Sequence, residues 1–365
     1  MKIAVRRNIL GVKQYVPGKP IEEVQRELGL KEVVKLASNE NCLGPSPKAV
    51  AAIRRNASCV NRYPDAAAFG LRRKMSKFLG VGEDRLIFGN GSDEIICMAA
   101  KAFLGDGDEV VIARPTFLIY EIASQIQNAA IRFVPLTKGL RHDLDGMRAA
   151  VNGKTRIVFI ANPDNPTGTY VSRKELDSFL SGIPEGVIVF LDEAYFEFAA
   201  ASAADYPDGL DYLDRPNVIV SRSFSKAYGL AGIRVGYGIS SPEVIGYMER
   251  TREPFNVNLL AQAAATAAID DTTFLKKTIS LALREKAFLY SELRKMGIPY
   301  VESATNFVLA ETGRDCREVF DSLLKKGVIV RDMKAWGMDT YIRVTIGKRP
   351  ENIKFIKALK SVLGR

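Results

Sequence analysis

Between about residues 86 and 240, short apolar runs rich in β-branched side chains alternate with segments whose apolar positions recur at helical spacing. The runs cover 86–88, 109–112, 131–134, 156–160, 187–191 and 217–220. Nearly unbroken apolar runs are what strands buried on both faces require, so the pattern predicts a mostly parallel sheet with helices between its strands. One such helix is marked over 93–104 by Ile95, Ile96, Ala99, Ala100 and Phe103. The fold class read from this is α/β.

After about residue 250 the pattern changes. Leu275, Ile279, Ala282, Leu289, Leu293 and Met296 predict a long helix, and Gly297 stands where it would stop. Short strands over 306–309, 328–331 and 341–346, with helical runs between and after them, predict a smaller α+β unit. A Pro/Gly turn over 15–20 and an amphipathic helix over 21–28 predict an N-terminal arm that packs on that unit. The expected division is an arm at 1–35, a large unit at 36–250 and a small unit at 251–365. The Ala-rich stretch 198–204 reads as a loop or short helix, and there is no internal repeat.

Composition narrows the function classes. The 365 residues are 47% hydrophobic and 26% charged, enough to bury a large core and form a recessed site. The balance of 52 basic against 42 acidic side chains favours anionic ligands. That excess is diffuse: no block of five or six Lys/Arg occurs, so no nucleic-acid partner is expected. No stretch approaches ~18 consecutive apolar residues, and the basic start lacks the apolar run of a signal peptide, so the expected place is the cytoplasm, without a membrane partner. Cys42, Cys59, Cys97 and Cys316 show no CxxC spacing and are expected as reduced thiols. His142 is the only histidine, which excludes a His-rich metal site and leaves one residue on which any Ser-His-Asp triad would depend. No metal is expected.

In open α/β sheets ligands bind beyond the carboxyl ends of the strands, so the residues following each predicted strand are the informative ones. Gly89-Asn90-Gly91-Ser92-Asp93-Glu94 follows the first. The dinucleotide spacing fails because Glu94 replaces the third glycine, and no Walker motif exists. A turn feeding a helix remains, whose N–H groups at Gly91, Ser92 and Asp93 suit one phosphate; a plain capped turn is the alternative.

Lys226 follows a buried strand, is flanked by hydroxyls, and precedes Gly229, Gly232, Gly236 and Gly238, which let backbone approach a ligand. A lysine so placed can act as an amine nucleophile toward a carbonyl, although most lysines are solvated surface charges. Asp192 ends an apolar strand, where a carboxylate is costly unless it meets a cation, and a protonated pyridine nitrogen is such a cation. A pyridoxal ring also needs donors near its 3-oxygen, which Asn165 and Tyr195 supply, and a stacking partner, which Phe117 supplies. Ser223, Ser225 and Arg234 would join the helix terminus on its phosphate. The bland counterparts are a buried salt bridge, an Asn-Pro turn, a core tyrosine and a core phenylalanine. All of them falling after successive strands is what favours the cofactor.

Asn165-Pro166-Thr167-Gly168, Asp192-Glu193-Ala194-Tyr195 and the run from Ser223 to Arg234 resemble the signature of fold-type I pyridoxal-phosphate aminotransferases. Leu36-Ala37-Ser38-Asn39-Glu40-Asn41, Tyr63-Pro64-Asp65, Val330-Arg331-Asp332 and Ile342-Arg343-Val344 resemble histidinol-phosphate aminotransferases in particular. The resemblance runs over essentially the whole chain. It implies that Lys226 forms the Schiff base with pyridoxal 5'-phosphate, that Asp192 partners the ring nitrogen, and that Asn165 and Tyr195 donate to the 3-oxygen; Lys226, Asp192 and Tyr195 would be catalytic. Phe117 would stack on the ring, and Gly91, Ser92, Asp93, Ser223, Ser225 and Arg234 would form the phosphate cup. Tyr15, Asn39, Arg331 and Arg343 would line the substrate pocket. The family forms homodimers with shared sites, and Tyr63 resembles the tyrosine that reaches the neighbouring subunit's cofactor phosphate. Cys42 departs from the motif, which more often has proline there.

The activity implied is transamination of histidinol phosphate with 2-oxoglutarate, giving imidazole acetol phosphate and glutamate. An aromatic or broad-specificity aminotransferase would keep every cofactor residue and differ in the pocket. A lyase or decarboxylase on the same fold would release ammonia or carbon dioxide. A cofactor-binding regulatory protein would need a DNA-binding module for which the two units leave no room.

Overall fold

The computed structural model describes residues 3–14, 16 and 18–365. Strands are numbered in chain order: β1 (Val34–Lys35), β2 (Leu86–Gly89), β3 (Glu109–Arg114), β4 (Ala130–Pro135), β5 (Thr155–Ala161), β6 (Ile188–Asp192), β7 (Val218–Ser223), β8 (Gly236–Ile239), β9 (Tyr300–Val301), β10 (Phe307–Glu311), β11 (Val328–Ile329), β12 (Arg331–Asp332) and β13 (Tyr341–Thr345). The larger sheet has the order β2-β8-β7-β6-β5-β3-β4. Its six predicted strands run one way, and β8 alone runs against its neighbours β2 and β7.

Alternation within the apolar runs explains why they are unbroken. Ile157, Phe159, Ile188 and Phe190 face the helices Ser92–Phe103, Leu118–Ile126 and Pro242–Glu249, while Val158, Ile160, Val189 and Leu191 face the helices on the other side. Each fully buried side chain of this size stabilises the fold by roughly 1.5–3 kcal/mol. Over the central strands β6 and β7 both faces are dry, so there the strand ends are where polar chemistry can meet a ligand.

β8 was hidden by its glycines. A Cβ at Gly236 would lie 2.6 Å from the backbone N of Ser92, and one at Gly229 would lie 2.2 Å from the carbonyl O of Gly44. These glycines therefore admit neighbouring backbone, not a ligand as expected, and Gly236 lets the helix Ser92–Phe103 seat against the sheet.

The second sheet has the antiparallel order β12-β13-β10-β9. One face, with Val308, Ile342 and Val344, packs against Leu289, Leu323 and Phe355 from the helices Thr272–Lys295, Cys316–Lys325 and Arg349–Leu363. The other face joins Leu309 to Met333 and Trp336 and to partly buried Leu118 from the larger unit.

Two packing details depart from the expected division. The helix Leu259–Ile269 lies beyond residue 250, yet Ala261, Ala264, Ala265 and Ala268 bury themselves in the larger sheet's cluster with Ala49 and Leu71. Small side chains permit that close helix approach. The arm is also split. Val24 of the helix Ile21–Leu28 packs with Leu324 and Ile329, but Asn8 donates through Nδ2 to the carbonyls of Gln125 (2.8 Å) and Ile126 (3.0 Å), at the end of a larger-unit helix. Carbonyls left open at a helix C-terminus are what draw this part of the arm away from the smaller unit. Among the described residues no helix is long and apolar enough to cross a membrane.

Candidate active site

The carboxyl ends of β2, β3, β5, β6 and β7 open on a cavity of about 260 Å³ that the second sheet closes from the other side. Ser92, Asp93, Phe117, Asn165, Asp192, Tyr195, Ser223, Ser225, Lys226 and Arg234 all line it, as do Asn39, Arg331 and Arg343. The sequence reading places the first ten at or beyond the ends of five strands, and the fold brings them to one crevice together with Asn39, Arg331 and Arg343.

Lys226 stands in the turn after β7, donating to the Ser38 carbonyl at 3.4 Å with its Nζ 5.7 Å above the Tyr195 ring. Asp192, the last residue of β6, is almost fully buried. Its Oδ2 accepts from Tyr120 Oη (2.6 Å) and its Oδ1 from Ser221 Oγ (3.1 Å) and the Ala194 amide (3.2 Å). Burial pushes the Asp192 carboxyl up to about 6, against the bonds from Tyr120 and Ser221 that favour its charged form. On the opposite face of the same strands, buried Glu193 accepts from Arg222 Nε at 2.9 Å, pinning β6 to β7 behind the site.

Tyr195 accepts from Asn39 Nδ2 at 2.8 Å. Asn39 is itself fixed, because its Oδ1 accepts from Thr345 Oγ1 at 3.2 Å and its carbonyl from Asn306 Nδ2 at 3.0 Å. Its side chain thus orients Tyr195 from within the wall. Burial pushes the Tyr195 hydroxyl up to about 12, keeping it a donor at neutral pH. Asn165 Oδ1 accepts from Arg343 Nη1, which turns the amide nitrogen of Asn165 the other way. Arg343 also donates to the Ala37 carbonyl at 3.0 Å and lies 5.1 Å over the Phe307 ring.

At the far end, the helix Ser92–Phe103 begins at Gly91, where a Cβ would lie 2.4 Å from Arg234 Nη2. Arg234 donates to Asp93 Oδ2 at 3.0 Å. Helix N–H groups, two serines and a guanidinium are thus gathered at one end of the cavity, a donor set of the kind that suits one phosphate. The donor set fits pyridoxal phosphate on an observation of this chain alone: a buried carboxylate whose charged form burial disfavours faces the cavity and is relieved by a cationic ring nitrogen against it.

One expected residue lies away from this cavity and another cannot be placed. Tyr63 is 82% exposed and stacks on Phe255 at 4.6 Å, on a surface groove away from the cavity. Tyr15 falls outside the described residues. His142 is buried against Asp164, 3.3 Å from its Oδ1, and is not among the residues lining this cavity, so the triad has no support here. Tyr120 and Trp336 were missed. Tyr120 follows Phe117 by three residues, one helical turn, which was the available signal. Trp336 had none beyond being the single tryptophan.

Residues 31–359 match the family described as aminotransferase class I and II. The chain is 50% identical to a histidinol-phosphate aminotransferase of Moorella thermoacetica, over 98% of this chain and 92% of that one. It is 49% identical to histidinol-phosphate aminotransferase 2 of Carboxydothermus hydrogenoformans, over 98% and 99%. Among solved structures it resembles the histidinol-phosphate aminotransferase of Sinorhizobium meliloti in complex with pyridoxal-5'-phosphate, with a TM-score of 0.90, 28% identity, and 99% and 97% of the two chains covered. A match of this length, on a chain whose cavity is lined by Lys226, the buried Asp192 and Arg234, means that this protein belongs to the class I and II aminotransferase family.

Proposed function

We propose that the chain is a pyridoxal-phosphate-dependent aminotransferase that moves the amino group of histidinol phosphate to 2-oxoglutarate, releasing imidazole acetol phosphate and glutamate. The observation that carries this is one cavity holding an amine, a buried carboxylate and a phosphate cup on one wall and two arginines on the other. The relatives named for histidinol phosphate, at 50% and 49% identity, support the substrate.

Bound in the cavity, pyridoxal phosphate supplies a carbonyl carbon to take the amine and a ring to hold the electron pair left when a C–H bond is broken. Gly91, Ser92, Asp93, Ser223, Ser225 and Arg234 would hold its phosphate, and Phe117 its ring face. Asp192 would keep the ring nitrogen protonated, which is what lets the ring accept electrons. Because Asn39 already donates to the Tyr195 oxygen, the tyrosine's own proton is directed into the cavity, beside the Asn165 amide. Lys226 Nζ takes the proton from the substrate carbon that bears nitrogen and returns it on the other side of the exchange, as base and then acid. Arg343, on the β13 face opposite Ile342 and Val344, holds an anionic group of either substrate, with Arg331 beside it. Two half-reactions on one site give ping-pong kinetics.

The protein is read as a cytoplasmic homodimer, with an arm at 1–35, a large unit at 36–250 extended by the helix Leu259–Ile269, and the remainder of 251–365 as the small unit. The exposed Tyr63–Phe255 pair supports an interface between copies, with Tyr63 directed to the partner's cofactor phosphate. The deciding test is turnover: histidinol phosphate with 2-oxoglutarate should form glutamate far faster than phenylalanine or tyrosine does. Equal rates would instead support the broad-specificity reading, and release of ammonia or carbon dioxide would overturn transamination.

A further inference from the structure

Arg331 and Arg343 are direct partners across the antiparallel pair β12–β13. Like charges directly opposite each other repel, and two long side chains so placed would swing apart unless something else fixed them. Arg343 is turned inward by Asn165 and by the Ala37 carbonyl. Arg331 is fixed differently. Its Nη2 donates to the carbonyl of Val16 at 2.8 Å, and its guanidinium lies 5.2 Å over the ring of Trp336.

Trp336 is in turn anchored to the opposite wall. Its indole Nε1 donates to the Thr116 carbonyl at 2.9 Å, one residue before Phe117. The ring is buried, lines the same cavity as both arginines, and sits in a short turn five residues beyond Arg331. An indole face is the best aromatic surface for a guanidinium, and the attraction grows where water is excluded. A planar guanidinium held flat on a ring presents its N–H edge in one direction, the geometry a phosphate or carboxylate requires.

We propose that Trp336 is the positioning residue of the substrate's anionic end. It holds Arg331 against the repulsion of Arg343 and ties that guanidinium, through the Thr116 carbonyl, to the loop that carries the ring-stacking Phe117. The ligand class is a phosphate monoester in one half-reaction and a dicarboxylate in the other. This rests on the function proposed above.

The test uses the holoenzyme of wild type, Trp336→Phe, Trp336→Leu, Arg331→Ala and the double variant Arg331→Ala/Trp336→Leu. Trp336→Leu should raise KM for both histidinol phosphate and 2-oxoglutarate about tenfold while kcat changes much less, because the loss falls on binding of the anion. Trp336→Phe keeps a ring but not the N–H, and should raise KM about threefold. The double variant should be no worse than Arg331→Ala alone, since the tryptophan acts through the arginine. A tryptophan that only fills space would lower the melting temperature, leave both KM values within about twofold of wild type, and add its effect to that of Arg331→Ala; that result overturns the proposal.

A second measurement needs no turnover. Trp336 is the only tryptophan, so its emission reports this position alone. Inorganic phosphate should change it saturably in wild type and not in Arg331→Ala; an identical response in both overturns the coupling. Failure of the function itself would appear as wild-type protein that does not use histidinol phosphate, a result separate from either comparison between variants.

Discussion

The wall of the cavity formed by β5, β6 and β7 places its groups at strand ends, where Asp192, Asn165 and the Ser223–Lys226 turn are held by backbone that cannot shift without disturbing a sheet buried on both faces. The facing wall is assembled from the short strands β12 and β13, a turn carrying Trp336, and an arm that touches both units. The first wall is rigid by construction, and the second depends on side chains fixing one another. On the function proposed above, that difference would assign them different work: the first would carry bond-breaking chemistry, which needs sub-ångström placement, and the second would read the ends of two different substrates.

The largest expected effect tests the rigid wall. Lys226→Ala should lower kcat by at least about 10⁴-fold, and borohydride reduction should no longer attach the cofactor covalently. The residue is on a turn outside the core, so the melting temperature should stay near wild type. Retained turnover, or equal trapping at another lysine, would remove the basis of the proposed chemistry.

Asp192→Asn comes next, with a loss in kcat of about 10³. Its stability effect has a sign that can be worked out. The folded carboxyl is raised to about 6, above its ordinary value, because burial disfavours the charge. Such a group binds its proton more tightly when folded, so cofactor-free protein loses stability as pH rises from about 4 to 6 and carries the whole penalty above that, roughly 2–3 kcal/mol. Cofactor-free Asp192→Asn should therefore be the more stable of the two at pH 7, with the gap closing as pH falls below 6. A gap that is constant with pH would mean that burial is not what raises this group.

The facing wall should respond in KM instead. Arg343→Ala is expected to raise KM for both substrates by about 10–100-fold while the cofactor remains bound and its absorption unchanged. Cofactor loss in this variant would mean that Arg343 acts mainly through Asn165, and the division between the two walls would fail.

The same difference governs what the sequence made legible. Strand-end residues are announced by the apolar run they terminate, so Asp192, Asn165 and Lys226 could be read in one dimension, and so could every strand of the larger sheet except the glycine-rich β8. Arg343 was legible through the alternation of Ile342 and Val344. Trp336 and Tyr120 were not, since their roles come from partners distant in the chain, Thr116 for one and Asp192 for the other. The helix Leu259–Ile269 packs on the larger sheet's cluster although it follows the expected boundary at 250, for a related reason: an alanine pattern shows that a helix packs closely, but not against which surface.

The smallest expected effect contrasts Asp192 with the other buried acid of interest, Glu285 in the helix Thr272–Lys295. Burial alone would push the Glu285 carboxyl up, but bonds from Arg349 (2.8 Å), Asn352 (3.2 Å) and Arg284 together bring it below its ordinary value. Glu285 is satisfied by its own unit, whereas Asp192 faces a cavity, where the proposed function would set a cation against it. A lowered carboxyl stabilises the fold above the ordinary pKa of about 4.3 and loses that contribution as pH falls further. Glu285→Gln keeps an acceptor but not the charge and should cost about 1 kcal/mol at pH 7, seen as a drop of about 1–2 °C in melting temperature that fades below pH 4. The pH trends of Glu285→Gln and Asp192→Asn should therefore run in opposite directions, because the bonds around Glu285 outweigh its burial and those around Asp192 do not.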